Sequence, residues 1–280
     1  MSFRLVPGRR DLEELLPPDM FRFAAGGEPD FTVRLEEDGE MGDDPAAFFL
    51  PFRFEVRDDG TDYEFINRHE RVKRLGSIRP HQREARLRLP PDGTCRNEPD
   101  VASAVSTGLN DFLKACLHIF LLGEGGTLLH ACGVARAGRG FVFMGPSGMG
   151  KTTVASLLGR DKDASVLNDD LVALLPREGG GTALCGTPWA GTEGGEGKPG
   201  TVELAAAFSL LRGETGEARR LDPKSALKET LANLPWLGES ERIADSTIGA
   251  AARLVAGIPF FRLSFGLEED LWRRLEEVVG

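Results

Sequence analysis

The hydrophobic rhythm of the chain changes near residue 100. Before it, short runs alternate apolar and polar positions: Phe21-Arg22-Phe23, Phe31-Thr32-Val33-Arg34-Leu35, Phe52-Arg53-Phe54-Glu55-Val56, Tyr63-Glu64-Phe65-Ile66 and Ala85-Arg86-Leu87-Arg88-Leu89. A period of two puts apolar side chains on one face of a strand and charge on the other. Turn signals at Gly26-Gly27 and Asp58-Asp59-Gly60 separate the runs. Leu12, Leu15 and Leu16 predict a short helix stopped by Pro17-Pro18. Residues 1–100 therefore read as a small antiparallel β-rich region with one wet face. Pro90-Pro91-Asp92-Gly93 opens a polar stretch to residue 106 that reads as a linker.

Beyond it the period lengthens. Leu109, Phe112, Leu113, Cys116, Leu117, Phe120 and Leu121 recur at helical spacing, and Gly123-Glu124-Gly125-Gly126 ends that helix. Strands follow over Thr127–Ala135 and Phe141–Met144, joined by a hairpin turn over Arg136–Gly140. Residues 166–175 are apolar except for Asn168-Asp169-Asp170. A strand ending at Cys185 leads into a Gly-rich loop to Pro199, read as a mobile lid with Lys198 its sole cation. Strands over Val202–Leu211 and Ile258–Phe265 alternate with helices that begin at Pro223, at Ser240 or Asp245, and at Leu267. Residues 101–280 thus predict an α/β domain on a mixed sheet, without internal repeats.

One stretch carries chemistry. Gly145-Pro146-Ser147-Gly148-Met149-Gly150-Lys151-Thr152 fits G-x-x-x-x-G-K-[ST], and it lies between an apolar strand and a helix with Val154, Leu157 and Leu158 at helical spacing, so that Gly145 to Thr153 is the expected nucleotide-binding run. Glycines let the backbone approach an anion with no Cβ in the way. The loop amides and the helix start would point N–H groups at phosphates, with Lys151 as a point charge. The Thr152 hydroxyl would sit on Mg2+. About 20 residues on, Asp169 and Asp170 form the carboxylate pair that a metal and a general base require. Adjacent residues of a strand face opposite ways, so both reach one ligand only if the backbone bends there.

Composition narrows the setting. The chain has 280 residues, 41% hydrophobic and 28% charged, with a net charge of −10. Acidity argues against nucleic-acid binding. No apolar run of about 18 residues predicts a membrane span, and Met1–Arg10 lacks a signal-peptide core. Cys95, Cys116, Cys132 and Cys185 are scattered, without metal or disulfide spacing, which fits a reducing cytoplasmic setting. The basic segment Arg68–Arg88, with Arg71, Lys73, Arg74, Arg79, Arg83 and Arg86, reads first as the solvated face of strands and second as a docking surface for an acidic partner. His69 and His81 within it read as surface residues.

The run Leu128-Leu129-His130-Ala131-Cys132-Gly133-Val134, the glycine loop and Asn168-Asp169-Asp170 together resemble the HPr kinase/phosphorylase superfamily over about residues 107–265. That family is similar in fold to the nucleotide-binding half of ATP-dependent phosphoenolpyruvate carboxykinase. The likeness is to its relatives of unsettled substrate, which also carry a segment like Gly186-Thr187-Pro188-Trp189; some of these look like kinases of a peptide serine. The resemblance implies a P-loop domain of HPr-kinase/PEP-carboxykinase type. It implies His130 facing the transferred phosphoryl group, Lys151 and Thr152 on phosphate and Mg2+, Asp169 as general base, and Asp170 near the metal. On its residues alone, His130 reads as a packed strand histidine. Thr153 stands where HPr kinases usually carry a carboxylate, and neither their N-terminal domain nor their C-terminal basic segment is found. HPr as substrate, the reverse phosphorylase reaction and a hexamer are therefore not implied.

The expectation is a phosphotransferase using Mg2+ and ATP, with GTP equally open. The acceptor would be a hydroxyl of a protein, peptide or small molecule. The alternatives are a nucleotide-binding regulatory or scaffold protein, a simple or mechanical NTPase, and carboxykinase chemistry. Oligomeric state stays open, a homo-oligomer included.

Overall fold

The computed structural model describes residues 3–6, 15–16, 18–23, 28–41, 46–49, 54–68, 72–91, 99–191, 197–211, 213, 217–235, 237–238, 240–266 and 270–280. The Gly26-Gly27 turn, Leu12, His69, Arg71, Cys95 and residues 92–98 of the expected linker lie outside these residues. The chain divides into two compact units. One holds residues 1–18, 24–123 and 236–244; the other holds 19–23, 124–235 and 245–280.

The first unit is a six-stranded sheet in the order β1 (Phe3–Val6), β2 (Phe31–Glu37), β6 (Glu84–Leu89), β5 (Val72–Arg79), β4 (Tyr63–Arg68), β3 (Phe54–Asp58). It is mixed rather than antiparallel, because β1–β2 and β2–β6 pair in parallel. The alternation works as read: Phe31, Val33 and Leu35 are buried on one face of β2, as are Ala85, Leu87 and Leu89 on β6. The helix α1 (Pro99–Gly123) covers that face, stacking Phe120 on Phe31 at 4.0 Å between ring centres and Phe112 edge-on to Phe65 at 5.2 Å.

Several expectations change here. The residues assigned to a linker after 98 are the first turns of α1. The whole of this helix falls in the first unit, and residues 124–235 fall in the second. By length and composition α1 passes the requirement for a membrane span, with a mean hydropathy of 1.2, yet 72% of that window is buried. Phe21-Arg22-Phe23 is not a strand but the end of a 3-10 helix led by Pro18; three alternating residues are too few to override a proline-led turn. The basic segment carries β5, a strand that its charges hid. Arg74 pairs with Glu64, Arg79 with Asp62, and Arg86 with Glu84 and Glu36, the solvated-face reading. His81 pairs with Asp62 at 3.1 Å.

The second unit is an eight-stranded mixed sheet. Its path runs β11 (Thr182–Cys185), β10 (Leu171–Pro176), β7 (Thr127–Arg136), β8 (Arg139–Met144), β12 (Thr201–Leu210), β14 (Phe260–Leu263), β13 (Ala218–Arg220). β9 (Ala164–Asn168) also pairs with β7, and β11 pairs with β12, so the sheet curls back on itself. The β7–β8 hairpin turns at Ala137-Gly138, both in the left-handed region (φ 50° and 77°) that a two-residue turn needs. β8 and β14 flank β12 in parallel, and the remaining ladders are antiparallel.

Helices cover both faces of this sheet. On one, α2 (Lys151–Leu158) and α5 (Leu271–Val279) bury Val154, Leu158, Leu271, Trp272 and Leu275 against Phe143 and Phe208. The Trp272 indole N–H donates to the Leu158 carbonyl at 3.0 Å. On the other, α3 (Pro223–Ala232) and α4 (Glu241–Gly257) bring Ala226, Leu254 and Ile258 to Val142, Val172 and Leu204. Asp222 caps α3 by accepting from the amides of Lys224 and Ser225. Each helix start predicted from a capping or proline signal therefore appears within a few residues, α4 with the Ser240 hydroxyl accepting from the Ile243 amide.

A Cβ at Gly76 would lie 2.4 Å from the Arg86 carbonyl oxygen, whereas one at Gly39 would meet nothing within 4 Å. Gly76→Ala should therefore cost on the order of 1–3 kcal/mol and Gly39→Ala less than about 0.5 kcal/mol, measured as shifts of the chemical-denaturation midpoint. Equal shifts would contradict the register of β5 on β6.

Candidate active site

The site of interest lies within the second unit, at the end of β8. Met144 closes that strand, paired with Ala131 of β7 on one side and Ser209 of β12 on the other. The chain then turns through Gly145–Gly150 into α2. Gly148 (φ 76°) and Gly150 (φ 103°) adopt left-handed backbone that a side chain would strain. The Met149 amide donates to the Pro146 carbonyl at 3.2 Å, tightening the loop. Its crest, Pro146-Ser147-Gly148, is exposed.

Gly150 is the N-cap of α2, and no side chain caps the helix. The first-turn amides have no intrahelical acceptor, so they present donors and the positive end of the helix dipole to an anion. Lys151 is buried, and its Nζ donates to the Gly145 carbonyl at 2.7 Å and the Pro146 carbonyl at 3.5 Å. Burial pushes the ammonium below its usual range, while the Asp170 carboxylate opposes that shift. Thr152 is exposed on the first turn, and Thr153 is half-buried.

The carboxylates sit where the strand breaks. β9 and β10 run along the same partner, β7, and the two residues between them are Asp169 and Asp170. The break is made by Asn168. Its Oδ1 accepts from the amides of Asp170 (2.7 Å) and Leu171 (2.8 Å), a side-chain turn that competes with the ladder. This is the bend that two adjacent acids needed. The Asn168 amide nitrogen donates to the carbonyls of Thr187 (2.9 Å) and Trp189 (3.0 Å), and the Thr187 hydroxyl donates to the Leu171 carbonyl at 2.6 Å. The Gly191 amide donates to Asp169 Oδ1 at 2.9 Å. Residues 186–191 are therefore pinned beside the acids, with Thr187, Pro188 and Trp189 buried, rather than free as a mobile lid. Residues 192–196 lie outside the described residues.

His130 lies on β7, opposite Leu171 of β10, with Nε2 3.4 Å from Asp170 Oδ1. Burial holds its imidazole below the usual histidine range. Asp170 pulls the other way, and Lys151 adds to the lowering. Lys151, His130 and Asp170 thus form one electrostatic group, with Asp169 buried beside them. Cys132 is fully buried, as its apolar setting predicts, and desolvation raises its thiol well above the usual range.

Among the described residues no three His, Cys, Asp or Glu gather into a metal cage. The exposed Thr152 hydroxyl and the half-exposed Asp170 carboxylate are oxygen donors that suit Mg2+, which commonly takes one or two protein oxygens and fills the rest with phosphate and water. The uncapped helix start beside a buried lysine fits phosphate. Two asparagines complete the arrangement: Asn168, which the sequence reading named without a role of its own, and Asn233 after α3, which it passed over and which accepts from the Gly145 amide at 3.1 Å. An Asn before two acids is a recognisable turn signal; nothing local marks Asn233.

No family model matches the chain, and no curated relative does. Among solved structures it is similar to the HPr(Ser) kinase/phosphatase from Coxiella burnetii, at 13% identity and a TM-score of 0.32, over 54% of this chain and 97% of that one. A likeness at that level carries no weight, and the function is read from the site's own side chains.

The folded state disfavours protonated His130, so its neutral form adds stability that is lost as pH falls from about 6.5 through its lower folded value. In a histidine NMR titration, Asp170→Asn should move the His130 midpoint further down, and Lys151→Met should move it up. A midpoint indifferent to both would dissolve the group.

Proposed function

We propose that this protein is a phosphotransferase that uses Mg2+ and ATP and acts on a hydroxyl-bearing protein, peptide or small molecule. The observation that carries the proposal is the convergence of Lys151, His130 and Asp170, with Asp169 behind them, at an uncapped helix start that follows a glycine turn. The loop amides and Lys151 would hold the triphosphate. Lys151 is already aimed inward by its bond to the Gly145 carbonyl and would exchange that acceptor for phosphate oxygens. Thr152 and Asp170 would hold Mg2+, which supplies charge neutralisation on the phosphates.

Asp169 has one oxygen taken by the Gly191 amide, so Oδ2 is the atom left to receive a proton. As the acceptor oxygen bonds to the γ-phosphorus, the bond to the bridging oxygen of ADP breaks. The hydroxyl proton passes to Asp169 Oδ2, and the negative charge leaves on ADP. His130, kept neutral by its surroundings, would donate a hydrogen bond to the group in transit. The pinned segment 186–191 would exclude water from Asp169. A cytoplasmic setting, where ATP is supplied, accords with this reading.

The test is transfer of labelled γ-phosphate to serine-containing peptides, proteins and free hydroxy acids. Asp169→Asn should lower transfer by roughly 10^2–10^4-fold, and Lys151→Met by about 10^2-fold or more. Full transfer by Asp169→Asn would remove the base assignment. ATP binding without transfer to any acceptor would favour a regulatory nucleotide-binding role instead.

A further inference from the structure

Asn233 follows the last turn of α3 and is buried, and each of its polar groups has a partner. Its backbone amide donates to the Thr230 carbonyl at 3.0 Å, and its Nδ2 donates to the Glu229 carbonyl at 2.8 Å. Both bonds fasten Asn233 to its own helix. The remaining two face the site. Its Oδ1 accepts from the Gly145 amide at 3.1 Å, and its backbone carbonyl accepts from the His130 amide at 2.8 Å. One residue therefore holds the first residue of the glycine turn and the backbone of the strand histidine, 88 and 103 positions away in sequence.

The placement matters because Gly145 does two things. Its amide is held by Asn233, and its carbonyl accepts from Lys151. Fixing the Gly145 peptide fixes where the lysine rests and how the turn starts. Without the Asn233 amide, the Gly145 N–H would be buried without an acceptor, a penalty that drives the loop to rearrange.

From this geometry we infer that Asn233 is a positioning residue for the glycine turn: it sets the Gly145 peptide, and through it Lys151, relative to His130. It touches no reacting atom itself. The inference rests on the phosphotransferase reading for its consequence, tighter nucleotide binding, but its structural content is independent of that reading.

The experiment reads both levels on the full chain. Amide hydrogen exchange at Gly145 is followed in nucleotide-free protein, and Mg2+–ATP affinity is measured by titration, for wild type, Asn233→Leu, Asn233→Asp and Asp222→Ala. Leu removes the acceptor. Asp keeps the oxygen but loses the bond to Glu229. Asp222→Ala loosens the far end of α3, where Asp222 caps the helix without touching the loop. The expected result is at least about tenfold faster Gly145 exchange in Asn233→Leu, with protection retained in Asn233→Asp and Asp222→Ala. ATP affinity should fall about tenfold in Asn233→Leu, equivalent to about 1.4 kcal/mol, and stay within about twofold in Asp222→Ala. Should Asn233→Leu not fold, Asn233→Asp against Asp222→Ala carries the comparison, and lost protection in the former overturns the inference. Unchanged Gly145 exchange in a folded Asn233→Leu overturns it, as does equal loss in Asp222→Ala. If wild type binds no ATP while the exchange pattern appears as expected, the positioning role stands and the nucleotide reading falls.

Discussion

The side-chain amide of Asn168 is the interaction on which the site depends. It is fully buried, and both ends are used: the oxygen takes two successive backbone amides, and the nitrogen reaches two carbonyls of the segment beyond β11. The first pair of bonds interrupts a strand that would otherwise run from β9 into β10 along β7. The second pair fixes the segment that ends on Asp169. Without the interruption, pleating would send Asp169 and Asp170 to opposite faces of the sheet. With it, Asp170 reaches His130 while Asp169 is turned inward under Gly191. A polar group buried this deeply is tolerated only because it is satisfied on both sides.

The same economy appears at the glycine turn. Lysine burial is unfavourable unless its charge finds acceptors, and here Lys151 finds backbone carbonyls of its own loop. Those acceptors are exchangeable, as the proposed hold on phosphate requires. Helix α2 contributes its start to the site and its apolar face to the core, where Val154 and Leu158 pack with α5. The site is therefore carried by elements whose positions the core already determines.

Much of this is legible in the residues because it is local. The hairpin at Ala137-Gly138, the strand–glycine–helix order around Lys151, and the Pro223 and Asp222 start of α3 follow from a few adjacent side chains. What escaped was non-local or masked by charge. β5 alternates poorly because Lys73, Arg74 and Gly76 interrupt its apolar positions, and a bulge between Phe65 and Ile66 shifts its register on β4. The parallel pairing of β2 with β6 joins residues some fifty positions apart, so no local signal announces it. Asn233 could not be read at all, since its role exists only once α3 has folded against the end of β8. Within the loop expected to be mobile as far as Pro199, the described glycines do not confer freedom: Gly186, Gly191 and Gly197 are places where backbone or carboxylate comes too close for a Cβ.

The central claim is that the uncapped start of α2 and the Lys151–His130–Asp170 group form one phosphate-binding centre. Solving the structure with Mg2+ and a non-hydrolysable ATP analogue tests it most directly. The account predicts phosphate oxygens on the first-turn amides of α2, Lys151 Nζ released from the Gly145 carbonyl onto those phosphates, and the terminal phosphate facing His130 and Asp170. A nucleotide bound elsewhere, with Lys151 still on Gly145, would contradict it.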